Sequence, residues 1–267
     1  MAVRNFTTAE GCNALQNLVG GAGNSGLGCY ALFSTVEGSF NTGVGGGALA
    51  LNTADSNTAV GAAALLLNTS GTLNVALGTD ALVFNDSGSD NTAVGAFALF
   101  NSVTATDNTA VGFQALINNH DGGFNTALGS GALFNNDSAG TVPAEAFYND
   151  AVGAGTLFNN VDGFENNAFG ESALFSNITA AANTAIGDEA LFNNDSDGLG
   201  LANNNVAVGE LALGFNIDGS ENTAVGTAAG QTWSLASITL TSATSLDLAP
   251  VTKAIRSALA TSRARIP

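Results

Sequence analysis

The chain lacks positive charge over almost its entire length. Lys and Arg occur only near the two ends, as Arg4, Lys253, Arg256, Arg263 and Arg265. Against these 5 basic residues stand 22 acidic ones, which gives a formal net charge of −17. Proteins bind nucleic acids and anionic membranes through basic side chains, so we expect neither partner for this acidic body.

Other residue types are also scarce, and each absence narrows the possible functions. The single His, His120, lies in the run N-N-H-D-G-G without a Cys or Ser in a nucleophile context. We therefore expect no catalytic residues and no enzymatic activity. No apolar run is long enough to span a membrane, and the first residues lack the apolar core of a signal peptide, so we expect no membrane insertion.

What the chain does contain is a short repeated phrase, clearest as N-T-A-V-G-A-F-A-L-F at 91–100. Thirteen copies run from Thr7 to Gln231, and nine of the twelve steps between them are 17 residues long. We number each copy from its Asn as offset 0. A unit this short cannot bury a core alone, but stacked copies can cover one another. The repeat therefore predicts an all-β fold, a β-solenoid of about 13 coils. Each coil is called a rung below.

The first offsets predict one short strand per rung. Offset 2 is Ala or Gly, offset 3 is Val, Leu, Ile or Phe in every copy but the first, and offset 4 is always Gly. β-branched residues favour extended backbone, and an invariant Gly indicates a turn that other residues cannot adopt. These turn glycines include Gly61, Gly78, Gly95, Gly112 and Gly129.

Alternation along the strand separates offset 2 from offsets 1 and 3. We expect offset 3 to form the buried core row and offset 2 to face outward, where small side chains would let another chain pack closely. Ala93, Ala110 and Ala127 are therefore candidate interface residues. Offsets 7 to 9, often Ala-Leu-Phe, do not alternate. They form either a strand buried on both faces or a single helical turn, and we favour the strand.

Offset 0 is Asn in twelve of the thirteen copies. Stacked Asn side chains can form an amide ladder that binds the backbone at a corner of the coil, or they can form a ligand-binding row. We favour the structural ladder. Its members are Asn24, Asn41, Asn57, Asn74, Asn91, Asn108, Asn125, Asn149, Asn166, Asn183, Asn205 and Asn222.

The two cysteines, Cys12 and Cys29, both occupy offset 5, in consecutive copies. Stacking would place them within reach of a disulfide bond, which would suit an exported protein. Two free thiols at a variable outer position are the alternative.

One corner of the coil accepts insertions. Seven extra residues follow offset 10 in the copy of Asn125, and five follow it in the copy of Asn183. This corner also carries many Asp residues, so we expect a solvent-facing acidic edge. The run N-N-D-S-D-G at 193–198 has the alternating oxygen ligands and the Gly of a calcium loop, although the acid that closes such loops is missing. Asp195 and Asp197 are therefore calcium candidates, and no other cofactor is expected.

The repeat ends at residue 231, and a different pattern follows. We expect a solenoid domain over 1–231 and, over 232–267, a C-terminal cap of strands and one basic helix. The helix begins after Pro250 and places Val251, Ile255, Ala258 and Leu259 on one face. It serves either as a cap on the last rung or as a docking element or the start of a stalk.

The run N-T-A-V-G, at Asn57, Asn91, Asn108 and Asn222, resembles the head-type β-roll repeats of trimeric autotransporter adhesins. The fuller pattern N-T-A-V-G-x-x-A-L-x-x-N is similar to repeats of bacterial surface and phage tail-fibre proteins. The resemblance covers 7–231 and implies a left-handed β-roll, assembly as a parallel trimer, and adhesion. The 17-residue coil is longer than the usual adhesin head coil.

These observations predict a structural, non-enzymatic rod module of an extracellular adhesin or fibre. We expect it outside the cell, on a cell surface or on a virion, as a homo-oligomer that meets a cell-surface or glycan receptor. A self-assembling subunit of an extracellular filament is one alternative. A calcium-, glycan- or ice-binding solenoid is another, and the Thr at offset 1 in eight copies is the observation behind ice binding.

Overall fold

The protein, seen in a computed structural model that describes residues 6–138 and 146–231, is an all-β solenoid with a period of about 17 residues. Thirteen strands of three residues each pair in one parallel sheet, in chain order. They are β1 Thr8–Glu10, β2 Ser25–Leu27, β3 Thr42–Val44, β4 Thr58–Val60, β5 Val75–Leu77, β6 Thr92–Val94, β7 Thr109–Val111, β8 Thr126–Leu128, β9 Asp150–Val152, β10 Asn167–Phe169, β11 Thr184–Ile186, β12 Val206–Val208 and β13 Thr223–Val225. The described residues contain no helix, and the cap strands and basic helix expected in 232–267 lie outside them.

Equivalent offsets pair with one another in every rung. β6 pairs with β7 so that Ala93 lies opposite Ala110. β8 and β9 keep the same register, with Ala127 opposite Ala151, although seven extra residues separate them. The insertion therefore leaves the sheet unchanged and departs from the coil at the corner. At about 4.8 Å per strand, the stack is about 58 Å long.

The two faces of the strands are the reverse of the expectation from sequence. The expected interface residues Ala93, Ala110 and Ala127 are fully buried in the core, so the prediction of an outward Ala row is wrong. Offset 3 lies on the outside instead, where Val60 is 40% exposed and Val111 is 38% exposed.

The narrow interior explains this reversal. Each coil but the last already contains the Leu of offset 8, and a Cβ added to Gly43 at offset 2 would lie 3.3 Å from the Cγ atom of Leu32. Only a methyl group fits between the strand and this Leu column. Ala at offsets 2 and 7 fills the remaining space at close-packed density, and the branched side chains of offset 3 are left outside.

Offsets 6 to 8 form a turn, so the strand expected at offsets 7 to 9 is also wrong. Phe97 and Leu99 adopt left-handed backbone, with φ of 59° and 51°. The Ala98 N–H donates to the Gly95 carbonyl at 3.3 Å, and the chain turns sharply enough for Ala98 and Leu99 both to enter the core. A bulky residue in this conformation is strained, and the complete burial of Leu99 offsets that strain.

The invariant Gly at offset 4 meets two separate requirements. Gly95 has a φ of 131°, and a Cβ at that position would lie 2.5 Å from the carbonyl oxygen of Gly112 in the next rung. The other turn glycines named above have φ values between 141° and 148°. Backbone conformation and the close approach of adjacent rungs therefore both require Gly.

Candidate functional site

The Asn residues of offset 0 form one buried column along a corner of the solenoid. All twelve are between 0% and 2% exposed. Asn91 shows the pattern: its Nδ2 donates to the Ala105 carbonyl at 2.8 Å, and its Oδ1 accepts the backbone N–H of Asn108 at 3.1 Å. Each amide thus bonds its own rung and the next. The column has the geometry of a structural ladder and presents no amide to solvent.

A second buried Asn column lies at offset 11 and was not foreseen from the sequence. Asn68 Nδ2 donates to Asn52 Oδ1 at 2.6 Å and to the Gly71 carbonyl at 2.9 Å. Its members are Asn52, Asn68, Asn85, Asn119, Asn136, Asn160, Asn177, Asn194 and Asn216. The signal was present as the last Asn of the repeated pattern, but its position beside the variable corner concealed its role.

This second column is interrupted at Ser102. The buried Oγ of Ser102 has no hydrogen-bond partner, and neither has Oδ1 of Asn85 in the preceding rung. Elsewhere that oxygen accepts from the next Asn, as Asn68 Oδ1 accepts Asn85 Nδ2 at 2.6 Å. The Ser side chain is too short to reach, so two polar atoms in the interior stay unsatisfied.

A buried aspartate occupies offset 12 in each rung that carries an insertion. Asp137 and Asp195, called the insertion aspartates below, share the run N-N-D-S and are both fully buried. They do not lie on the solvent-facing edge expected for this corner. Asp137 Oδ2 accepts the backbone N–H groups of Asp121 at 2.5 Å and Gly122 at 3.1 Å in the preceding rung. Its Oδ1 has no partner, and burial raises the pKa of Asp137.

Asp195 makes the same contacts and two more, one of them from Thr179 Oγ1, which donates to its Oδ2 at 2.9 Å. Its Oδ2 accepts the N–H groups of Thr179 at 2.7 Å and Ala180 at 2.9 Å, and its Oδ1 accepts the N–H of Gly200 at 2.6 Å. Gly200 lies in the insertion itself, so this calcium candidate holds the loop to the rung before it. Charge-assisted bonds of this kind are among the stronger hydrogen bonds in proteins.

The other carboxylates of this corner lie close to one another. Burial, together with the charges of Asp197 and Asp195, raises the pKa of Asp218, whose Oδ1 is buried without a partner. Asp197 Oδ1 accepts the backbone N–H of Leu199 at 3.2 Å. Nevertheless, within residues 6–138 and 146–231, no three or more His, Cys, Asp or Glu side chains are grouped to hold a metal ion.

His120 is paired with its neighbour rather than with a nucleophile. Its Nδ1 lies 3.1 Å from Oδ2 of Asp121, and Thr104 Oγ1 donates to Asp121 Oδ1 at 2.5 Å. Partial burial alone would raise the pKa of Asp121, but the hydrogen bonds from Thr104 and His120 bring it below its ordinary value. The arrangement orients a surface imidazole and supplies no group for it to activate.

Cys12 and Cys29 form a disulfide bond between the first two rungs, with their Cα atoms 4.5 Å apart. Both occupy offset 5, so the bond runs along the stack rather than across the coil. It joins rungs that already pair through β1 and β2, and it cross-links the end of the described solenoid.

The outward side chains of the strands form one continuous surface, which we call the Thr/Val face. It consists of offset 1, mostly Thr, and offset 3, mostly Val or Leu, in all thirteen strands. Val60, Val111, Leu128, Phe169 and Ile186 are each 38–44% exposed. Continuous exposed apolar patches of more than a few hundred Å² are uncommon on monomeric proteins, and where they occur they usually mark an interaction site.

No protein-family model matches the chain, and no curated protein shows significant sequence similarity to it. The described residues include no long apolar helix of the kind that crosses a membrane. The β-solenoid repeat architecture is consistent with a β-roll repeat, and any closer assignment depends on the surfaces described above.

Proposed function

We propose that the chain is a structural rod module of an extracellular adhesin or fibre that acts through oligomeric assembly. The observation that supports this function best is the continuity of the stack. All thirteen strands pair without a break, and the register passes both insertions unchanged. The buried Asn column of offset 0 bonds each rung to the next along the same length. A stack held together in this way keeps its two ends at a fixed distance.

The insertion corner supports the same function. Extra residues depart there without disturbing the sheet, and a buried aspartate holds the rung from which they depart. A rod module can thus vary what it displays along one edge while its length and stiffness stay constant. The receptor of such an edge would be a cell-surface molecule or a glycan.

Electron microscopy of the purified full chain tests the rod itself. We expect elongated particles in which the solenoid accounts for about 58 Å of length. Small-angle scattering in solution should give a maximum dimension well above that of a sphere of the same mass. Compact particles with equal axes would contradict the rod function.

A second candidate function, growth into an open filament, is favoured by the first strand. β1 ends the sheet of the described residues, and Thr8, Ala9 and Glu10 are all exposed. An uncovered strand edge can pair with another chain. Native mass measurements distinguish the two functions, because a rod module closes into a defined oligomer whereas a filament subunit gives open-ended polymers.

A further inference from the structure

We propose that the Thr/Val face is the surface along which copies of this chain pack side by side. This proposal rests on the rod function above and names the surface through which the rod would assemble. The sequence had pointed to the Ala row, which is buried, so the assembly surface must be sought among the residues that are outside.

The composition of the face is that of an interface core. From β2 to β8 every outward residue is Thr, Ser, Val or Leu, and the Val and Leu side chains form an unbroken column. Val60, Val111 and Leu128 in this column are each 38–40% exposed. Covering the column would remove apolar area from water along the whole length of the rod.

Charge identifies another copy of the chain as the occupant. Among the outward residues of the thirteen strands, only Glu10 and Asp150 are charged. Most other acidic residues lie at offsets 5 and 6 and at the insertion corner, and no Lys or Arg lies between Asn5 and Thr252 to offset them. Two copies therefore repel each other at those acidic sides, and a basic partner would be attracted there instead of to the Thr/Val face. Offsets 9 and 10 are also uncharged, and the control variant below tests that side.

The size of the face agrees with a stable but modest association. A surface about 58 Å long and about 10 Å wide offers about 580 Å² per copy, or roughly 1,200 Å² in total, the lower end of stable protein interfaces. Both surfaces also repeat at the same spacing of about 4.8 Å. Side chains of one copy can thus fit between those of the other along the full length.

The test compares two double variants of the full chain by analytical ultracentrifugation. Val60→Glu with Val111→Glu places carboxylates on the Thr/Val face. Leu51→Glu with Phe84→Glu places them at exposed apolar positions of offset 10, on another side of the rod, where Leu51 and Phe84 are 43% and 42% exposed. We expect wild-type protein and the offset-10 variant to associate equally. The face variant should associate at least roughly 100-fold more weakly, because unpaired carboxylates are costly to bury.

Circular dichroism and melting curves show whether each variant is folded. Equal association of the two variants would overturn the proposal, and so would a wild-type protein that stays monomeric at high concentration and high salt. In the monomeric case the same samples should be assayed for inhibition of ice recrystallisation. Inhibition lost only in the face variant would assign the face to ice instead. Equal association of all three proteins would overturn this face alone and leave the proposed oligomeric rod intact, whereas a monomeric wild-type protein would contradict the oligomeric assembly in the proposed function as well.

Discussion

The corner that follows offset 11 is hydrogen-bonded differently in ordinary rungs and in rungs with an insertion. In an ordinary rung, the N–H groups of Thr69 and Ser70 donate to the carbonyl of Asp86 in the next rung, at 3.0 and 2.9 Å. Where the next rung carries an insertion, a carboxylate is the acceptor instead, and it accepts from the N–H groups one offset further along: Asp195 Oδ2 accepts those of Thr179 and Ala180, at offsets 13 and 14 rather than 12 and 13.

The difference shows what an insertion requires of this fold. A loop that leaves the coil takes its backbone carbonyl away from the rung before it, and buried N–H groups without an acceptor are costly. An aspartate in left-handed backbone turns its side chain inward and supplies the missing acceptor; Asp137 and Asp195 have φ of 50° and 51°. Insertions are thus tolerated at this corner because a side chain can replace the backbone there.

The largest effect should come from the turn glycines of ordinary rungs. Gly95→Ala should lower the free energy of unfolding by about 3 kcal/mol or more, since the new Cβ meets the backbone of the next rung. Gly198→Ala, in the insertion, should lower the free energy of unfolding by only about 1 kcal/mol, the cost of placing Ala in left-handed backbone. Its Cβ would lie 3.4 Å from Ile178, which is an ordinary van der Waals contact. Urea unfolding of both variants provides the comparison. Equal losses would mean that adjacent rungs do not constrain offset 4.

The two insertion aspartates should differ when each is changed to Asn. In Asp195→Asn the new amide NH₂ must face an N–H donor, because each carboxylate oxygen of Asp195 already accepts an N–H hydrogen bond. We expect this variant to lower the free energy of unfolding by about 1–3 kcal/mol. Asp137→Asn can direct the NH₂ to the side of Oδ1, which has no donor, and should change stability by less than about 1 kcal/mol. Asp86→Asn is the control at the same offset of an ordinary rung. The proposed role fails if Asp195→Asn is as harmless as this control.

Stability should also depend on pH through Asp137. Burial raises its folded pKa above the ordinary 3.8, so the folded state binds the proton first as pH falls, and the cost of the buried charge disappears. Asp218, with a raised pKa, acts in the same direction, whereas the lowered pKa of Asp121 makes its contribution fall only below about pH 4. We expect unfolding free energy to rise from pH 7 toward pH 4.5, and to rise less in Asp137→Asn. Identical slopes for the two proteins would exclude Asp137 as a source.

The smallest change concerns the interrupted Asn column. Ser102→Asn should supply an Nδ2 donor to Asn85 Oδ1 and an acceptor to Asn119, and it should raise stability by about 1 kcal/mol. Ser102→Ala is the matched control, because it removes the unsatisfied hydroxyl without restoring the bridge. If Ser102→Asn melts no higher than Ser102→Ala, the new amide does not form the missing hydrogen bond to Asn85 Oδ1.

The fold could be read from the sequence because every offset is sampled in thirteen copies. The orientation of the strand could not, since period-2 alternation defines two faces without saying which one is inside. Val at offset 3 is the larger hydrophobe and was expected in the core, but Leu32 and its equivalents already occupy the interior. The role of the insertion aspartates could not be predicted from the local sequence either. Asp137 and Asp195 resemble ordinary loop residues, and their role depends on contacts with the preceding rung.

Each rung bonds only to its two neighbours, and this has a mechanical consequence. A pull along the axis would remove rungs one at a time from an end of the stack. An ordinary rung of 17 residues would release about 50–55 Å of extended chain after its own thickness is subtracted. The enlarged rungs of 24 and 22 residues would give longer steps, and the disulfide would withhold the chain between Cys12 and Cys29. Under load the molecule would thus lengthen in graded increments and dissipate work, with the two insertions recorded as the longest steps.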